Sequence, residues 1–401
     1  MLQKKSRSLH RLLSPECRSL FHFLIQTYYM SVTKINIVRF ASKGDDSFID
    51  TVNARVQDYF RTKGISPYAN GGMYRKTIVM ILVYVIPYVL IISSVGAHSI
   101  FLFWLLWFLM GCGIVGIGTS VMHDANHGAY SPNKKVNAFL GHILEVIGGY
   151  SVNWKIQHNL LHHTYTNIDE LDEDIDSIVL LRLSPRQQWY WFHRYQYLYA
   201  WFFYMCMTLF WMTAKDYLQV IRYKKRNLLI KQKVSLKKAI FHITWYKMFY
   251  YAYVLVLPLL FSGQPWYFVL TGFVVMHFTA GFMLACIFQP AHIMPEATFP
   301  EPVMEDGKRH IKDTWAIHEL TNSTNFAPRS RLFSWFIGGL NFQIEHHLFM
   351  NVCHIHYKKL SPIVQATAAD FGLPYHVKPT FWRALMAHAK MLKMLGRNQV
   401  A

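Results

Sequence analysis

The apolar positions of this chain gather into long runs, not into the short alternations of a soluble sheet. Residues 77–96 (TIVMILVYVIPYVLIISSVG) carry no charge, and neither do residues 100–122. Each run is long enough, at 1.5 Å per helical residue, to cross ~30 Å of hydrocarbon. Only Ala97, His98 and Ser99 separate them, which predicts a tight membrane hairpin. Three more apolar stretches follow, at about 198–213, 239–261 and 266–288, the last two joined by SGQP at 262–265. Ahead of the first run, Phe48, Val52, Val56, Tyr59 and Phe60 recur at helical spacing, with Ser47 able to cap and Gly64 and Pro67 able to stop the helix. That pattern predicts an amphipathic helix over 47–63, expected at the membrane surface.

Charge sets the topology. The loop KDYLQVIRYKKRNLLIKQKVSLKK carries nine Lys and Arg against one Asp, so it is expected on the cytoplasmic side. The links at 97–99 and 262–265 have no Lys or Arg and suit the far side. Residues 123–197 return to the cytoplasm after the first hairpin. The 198–213 stretch therefore cannot cross, and is expected to lie in the interface or re-enter. The predicted fold is an all-α integral membrane protein with four transmembrane helices in two hairpins. A cytoplasmic helical cap, on the face that collects the histidine clusters, is expected to hold a two-metal site.

Composition agrees with a membrane protein. The 401 residues are 53% hydrophobic and 16% charged, where soluble domains carry about 25% charged residues. A net charge of +19 then points to an anionic membrane surface and not to nucleic acid. The five cysteines form no C-x-x-C pair, which excludes a disulfide framework and a zinc finger and fits a reducing compartment. Residues 1–29 are basic but make a poor signal peptide, and Met30 offers another start, so this extension is expected to be dispensable. The chain divides into that extension, an N-terminal segment at 30–76, a membrane domain at 77–380 and a tail at 381–401. The run GCGIVG, Gly111 to Gly116, matches G-x-G-x-x-G by letter but lies inside a membrane helix, where glycines serve close packing.

The candidate chemistry lies in three of the groups formed by the 21 histidines: His123 and His127 in HDANH; His158, His162 and His163 in HNLLHH; Gln343, His346 and His347 in QIEHH. Spacings of three or four place side chains on one helical face, where two imidazoles can grip one ion. The adjacent pair His162–His163 points about 100° apart on a helix and can serve two ions. Doubled pairs in two clusters thus suggest two metals. Imidazole suits zinc, copper, iron and nickel. The lack of cysteine argues against a closed zinc site and favours redox iron, although spacing alone does not decide it. Gln343 stands where its cluster would place a histidine, and an amide oxygen binds weakly or through water. His292, in FQPAHI at the end of the fourth run, joins the candidates by its expected position. His354, His356 and His142 are expected to be supporting or structural, and His277, alone in mid-span, is as easily a hydrogen-bonded packing residue.

HDANH, HNLLHHTYTN and GGLNFQIEHHLF together resemble the three histidine boxes of membrane fatty acid desaturases, over roughly residues 45–380. Gln343 in place of the first box-three histidine resembles the front-end group, which inserts a double bond between an existing one and the carboxyl end. The resemblance implies a non-haem di-iron centre. Its ligands would be His123, His127, His158, His162, His163, His346 and His347, with His292 as the extra histidine and Gln343 as a weaker contact. It also implies O2 as co-substrate and a fatty acyl-CoA or acyl-lipid substrate. The chain has no H-P-G-G haem motif of a fused cytochrome b5, so electrons are expected from a separate ferredoxin or cytochrome b5. The acidic run DELDEDID also resembles the family, with no role legible in it. The aromatic and Met-rich 198–213 stretch is a candidate wall or lid of the acyl slot. Rival readings are a hydroxylase on the same scaffold, a membrane zinc hydrolase and a non-catalytic transporter. A product hydroxyl, zinc without iron, or lipid composition indifferent to the box histidines would favour each in turn.

Overall fold

The computed structural model describes residues 38–41, 47–176 and 179–400; the expected extension at 1–29 lies outside them. Among the described residues, four helices are long and apolar enough to cross a membrane: Gly71–Ile92, Ile100–His127, Leu236–Phe261 and Trp266–His292. The second and fourth run past the predicted ends at 122 and 288. Hydropathy registers only apolar residues, whereas the helices continue through HDANH and to His292 because those polar side chains are buried together. Asn70 caps the first helix, its Oδ1 accepting from the N–H groups of Gly72 and Met73 at 2.9 and 3.1 Å.

The first two helices pack together, as do the second and fourth, and glycine sets how closely. A Cβ at Gly111 would lie 2.6 Å from the Met276 carbonyl oxygen, and one at Gly113 would lie 2.8 Å from the backbone nitrogen of Tyr84. GCGIVG is therefore a packing motif. At one end Ser94 donates to the Phe261 carbonyl at 2.6 Å, so the two short links lie side by side. On the outer faces Ile78, Leu82 and Ile86 of the first helix, and Phe241, Trp245 and Met248 of the third, form exposed apolar stripes. Soluble monomers rarely show such stripes, and lipid would cover them.

The 198–213 stretch lies within an unbroken helical path, Gln196–Phe210, Trp211–Lys215 and Asp216–Lys225, which is not among the four candidate spans. It packs along the fourth helix, where Thr208 donates to the His277 carbonyl at 2.7 Å. The third helix carries a charge that the path neutralises. Lys247 Nζ sits 2.9 Å from the buried Asp216 carboxylate and donates to the carbonyls of Gly148 and Trp211.

Helix Ser47–Lys63 forms as predicted, but its apolar face does not meet a membrane. Phe48, Val52 and Val56 are buried in one cluster with Leu360, Val364 and Ala368 of helix Tyr357–Asp370. The C-terminal part is pinned by small sheets and by its last helix. Strand Thr324–Phe326 pairs in parallel with His376–Lys378, and Val38–Arg39 pairs in parallel with Arg309–His310. Helix Phe381–Gly396 carries the buried His388, which donates from Nδ1 to the Ile293 carbonyl at 3.0 Å and accepts at Nε2 from Tyr204 at 2.8 Å.

Lys247→Met leaves Asp216 buried without its cation and is expected to cost about 3–5 kcal/mol. Adding Asp216→Asn should recover most of that, read as melting temperature in detergent. Burial pushes the His388 imidazole down to about 4, against the opposing pull of its bond to Ile293. Its contribution to stability is thus complete above about 6.5 and is lost as pH falls through about 4. The melting-temperature gap between parent and His388→Gln should therefore narrow from about pH 7.5 to about pH 5; a constant gap would exclude His388 from the acid response.

Candidate metal centre

Two helical paths change their winding where they bear the histidines. The second apolar helix widens to a π-turn over Ile117–Met122, immediately before His123. The path Ser151–Trp154, Lys155–His162, His163–Tyr165 is π-wound over its middle segment. A π-turn brings residues i and i+5 together. His158 and His163 accordingly meet with their Nε2 atoms 3.2 Å apart, a pairing that plain α-spacing does not predict. Helix Gln343–Leu348 brings His346 and His347, and the end of the fourth apolar helix brings His292.

The eight histidines form two adjoining sets. Ligand atoms of His123, His127, His158 and His346 lie within 4.8 Å of one another, and so do those of His162, His292 and His347. His163 stands between them, its ring 4.5 Å from that of His346 and 4.3 Å from that of His347. All are buried except the half-buried His127. Two nitrogens bound to one ion at ~2.0–2.1 Å would stand roughly 3 Å apart. The 3.2 Å separations of His158 Nε2 from the Nε2 atoms of His123 and His163 match that spacing.

A second layer turns the rings. Nδ1 of His292 donates to the Asn322 carbonyl at 2.9 Å, and Nδ1 of His162 donates to Asp172 at 3.1 Å. Nδ1 of His347 meets Glu319 at 2.6 Å, and Nδ1 of His346 meets the Tyr357 hydroxyl at 3.3 Å. The Nε2 atoms of His292, His346 and His347 are buried with no partner. Buried polar atoms rarely stay unpaired, and histidines that ligate metals are held by this outer layer. The donor set therefore fits a metal. Burial, and the charge that neighbouring rings would carry, hold His158, His163, His346 and His347 well below the ordinary imidazole range, in the neutral form that binds ions. His162 differs: burial lowers it, but the Asp172 and Asp174 carboxylates outweigh that and push it up to about 9. An ion there would have to displace a proton.

The structure thus brings together all eight histidines picked from the sequence. Gln343 is buried beside His292, its amide donating to the Leu340 carbonyl at 2.6 Å. His354 supports the first set, bonding Asp124 from Nδ1 at 2.8 Å and accepting from Lys76 at 2.8 Å. The Lys76 ammonium thus stands beside the Asp124–Cys353–His354 group. His356 lies against Phe60, and His142 is exposed and bonded to the Ala138 carbonyl. His277 is a satisfied packing residue, held by Tyr250 and Thr208 at 2.8 and 3.2 Å.

Sequence reasoning missed the outer layer. The run DELDEDID now has a role: Asp172 orients His162, and Glu173 and Asp176 bind Arg222. Its proximity to box two was the available signal. Glu319 and Tyr357 carried none, since only folding brings them to the rings.

A cavity of ≈ 170 Å³ opens beside the first set, lined by His123 and His158. Its walls include Ile114, Met122 and Leu284, and Met207, Trp211 and Met212 of the Gln196–Lys225 path. Residues of the 198–213 stretch thus line this cavity.

Eight histidines gathered together, two of them lining a largely apolar cavity, beside four helices of membrane length, define a membrane-helix protein built around a candidate metal centre. The chain belongs to the fatty acid desaturase family, whose sequence model matches residues 99–379. It is 34% identical to an sn-1 linoleoyl-lipid 6-desaturase of Arthrospira platensis, over 88% of this chain and 93% of that protein. A protein of the same name from Synechocystis sp. is also 34% identical, over 87% and 96%. An acyl-lipid (8-3)-desaturase of Physcomitrium patens is 34% identical over 90% of this chain and 74% of its own length.

Glu319→Gln and Asp172→Asn should each weaken metal retention by about 10–100-fold while the helices persist. Elemental analysis of the purified variants against the parent, beside circular dichroism, checks this. Full metal content in both would remove the outer layer from the site.

Proposed function

We propose that this protein is an O2-dependent, front-end fatty acid desaturase with a non-haem di-iron centre. The observation that carries the reading is the pair of adjoining imidazole sets beside the apolar cavity. His123, His127, His158 and His346 would hold one iron, and His162, His292 and His347 the other, with His163 shared or assigned to either. Gln343 stands beside the second set. The relatives named as 6- and (8-3)-desaturases, and Gln343 at the head of box three, support the front-end assignment.

The balanced reaction converts two neighbouring methylenes, O2, two electrons and two protons to a cis or trans double bond and two waters. The metal pair, when bound, supplies the oxygen chemistry. The protein's own part is positional. Ile114, Met122 and Leu284 exclude water and line the path of a chain beside the site. Asp172, Glu319 and the Asn322 carbonyl keep the rings turned inward. In this reading the four helices form two hairpins, the histidines face the cytoplasm, and residues 77–380 carry catalysis. A separate ferredoxin or cytochrome b5 supplies the electrons, and the acyl group arrives on CoA or on a lipid.

The test is expression in a host with a compatible donor, feeding of saturated and unsaturated fatty acids, and mapping of products by mass spectrometry. A new double bond nearer the carboxyl end than any existing one is expected. The His346→Ala and His347→Ala variants should abolish it. A hydroxylated product would move the protein to the hydroxylases, and zinc without iron in purified protein would overturn the di-iron assignment.

A further inference from the structure

Two lysines lie close to the buried Asp216, and they fare differently. Lys247 pairs with it. Lys215, its chain neighbour, does not. The Lys215 ammonium lies 4.9 Å above the Trp211 ring and forms no hydrogen bond or ion pair among the described residues. It lines the same cavity as His123 and His158.

The helical path that carries it orders the cavity. Thr208, Trp211, Met212 and Lys215 share one face, π-wound over Trp211–Lys215. Thr208 to Lys215 spans roughly 10 Å at 1.5 Å per residue. At the Thr208 end lies His277, whose ring nitrogens are satisfied by Tyr250 and Thr208. The Lys215 end is polar, with Gln157, Glu173 and Asp174. Those carboxylates have partners of their own: Asp174 takes the Gln157 amide at 2.6 Å, and Glu173 takes Tyr223 at 2.6 Å and Arg222 at 3.2 Å. The wall opposite is kept open by Gly118, where an added Cβ would meet nothing within 4 Å.

Resting on the desaturase reading, we propose that Lys215 binds the carbonyl oxygen of the ester or thioester at the head of the acyl chain, and so sets the position of the double bond by counting from that end. An acyl chain has one polar group to offer, and the cavity has one cation at its polar end, Lys215, whose charge Asp174, Glu173 and Asp216 favour from nearby while its ammonium makes no hydrogen bond or ion pair among the described residues. The neighbouring Glu173 and Asp174 disfavour a second anion, which selects a neutral carbonyl over a free carboxylate or a phosphate. The methyl side then runs toward Thr208 and His277 and passes the first histidine set.

The test compares parent, Lys215→Met and Lys215→Arg as purified full-length chains with matching melting temperatures. Equilibrium binding is measured for linoleoyl-CoA, for dilinoleoyl phosphatidylcholine, for an ether-linked analogue that lacks the carbonyl, and for CoA alone. Lys215→Met should bind both carbonyl probes about 10–100-fold more weakly. The ether analogue should bind parent and Lys215→Met alike, and Lys215→Arg should stay close to the parent. In turnover Lys215→Met should spread the double bond over neighbouring positions. Parent-like binding and a single product from Lys215→Met would overturn the inference and leave the desaturase reading intact. A loss confined to CoA would overturn it too, by assigning the lysine to phosphate. Failure of the parent to bind any acyl probe would instead sink the desaturase reading.

Discussion

Eight imidazoles are packed together, and several of their inner nitrogens have no partner in the protein. Buried polar atoms are costly when unpaired, so such a cluster persists only if something outside the rings holds it and something inside satisfies it. Most of the molecule around the cluster is arranged to do the holding. Four separate stretches of chain supply the rings. Four further groups, Asp172, Glu319, Tyr357 and the Asn322 carbonyl, fix the Nδ1 sides of His162, His347, His346 and His292. What remains is a group of ring nitrogens without protein partners, packed close to one another.

The apolar helices give that arrangement a rigid base. Close approach at Gly111 and Gly113 binds the second helix to the fourth and to the first, and so places His123, His127 and His292 in one region. The C-terminal segment then folds back over the helix ends. Helix Ser47–Lys63, strand Thr324–Phe326 and His388 all serve to close it, each through contacts between residues far apart in the chain.

The Gln196–Lys225 path joins the fold to the chemistry. One end packs against the fourth helix, the other neutralises Lys247, and the face between lines the cavity. Because that face also carries Lys215, the element that walls the apolar slot is the element that offers a polar group at its rim.

How much was legible in the sequence follows from which interactions are local. Uncharged runs report burial in lipid, and the basic loop at 215–238 ruled out the 198–213 stretch, so the four long helices could be read from hydropathy and charge together. Box spacing reports side chains on one helical turn, so seven candidate histidines could be named from it, and His292 from its expected place at the end of the fourth run. The ends of the second and fourth helices could not, since their last polar turns are helical only because the cluster buries them. Nor could the amphipathic helix at 47–63 be placed, for periodicity shows an apolar face without saying whether lipid or protein covers it. The division of the histidines into two sets was also hidden. It depends on π-winding that pairs His158 with His163, and on partners such as Glu319, 28 residues from His347. Local sequence therefore determined the helices and the candidate metal-ligating residue types. Tertiary structure alone decided which rings share a site, because that is set by contacts the chain makes only once it is folded.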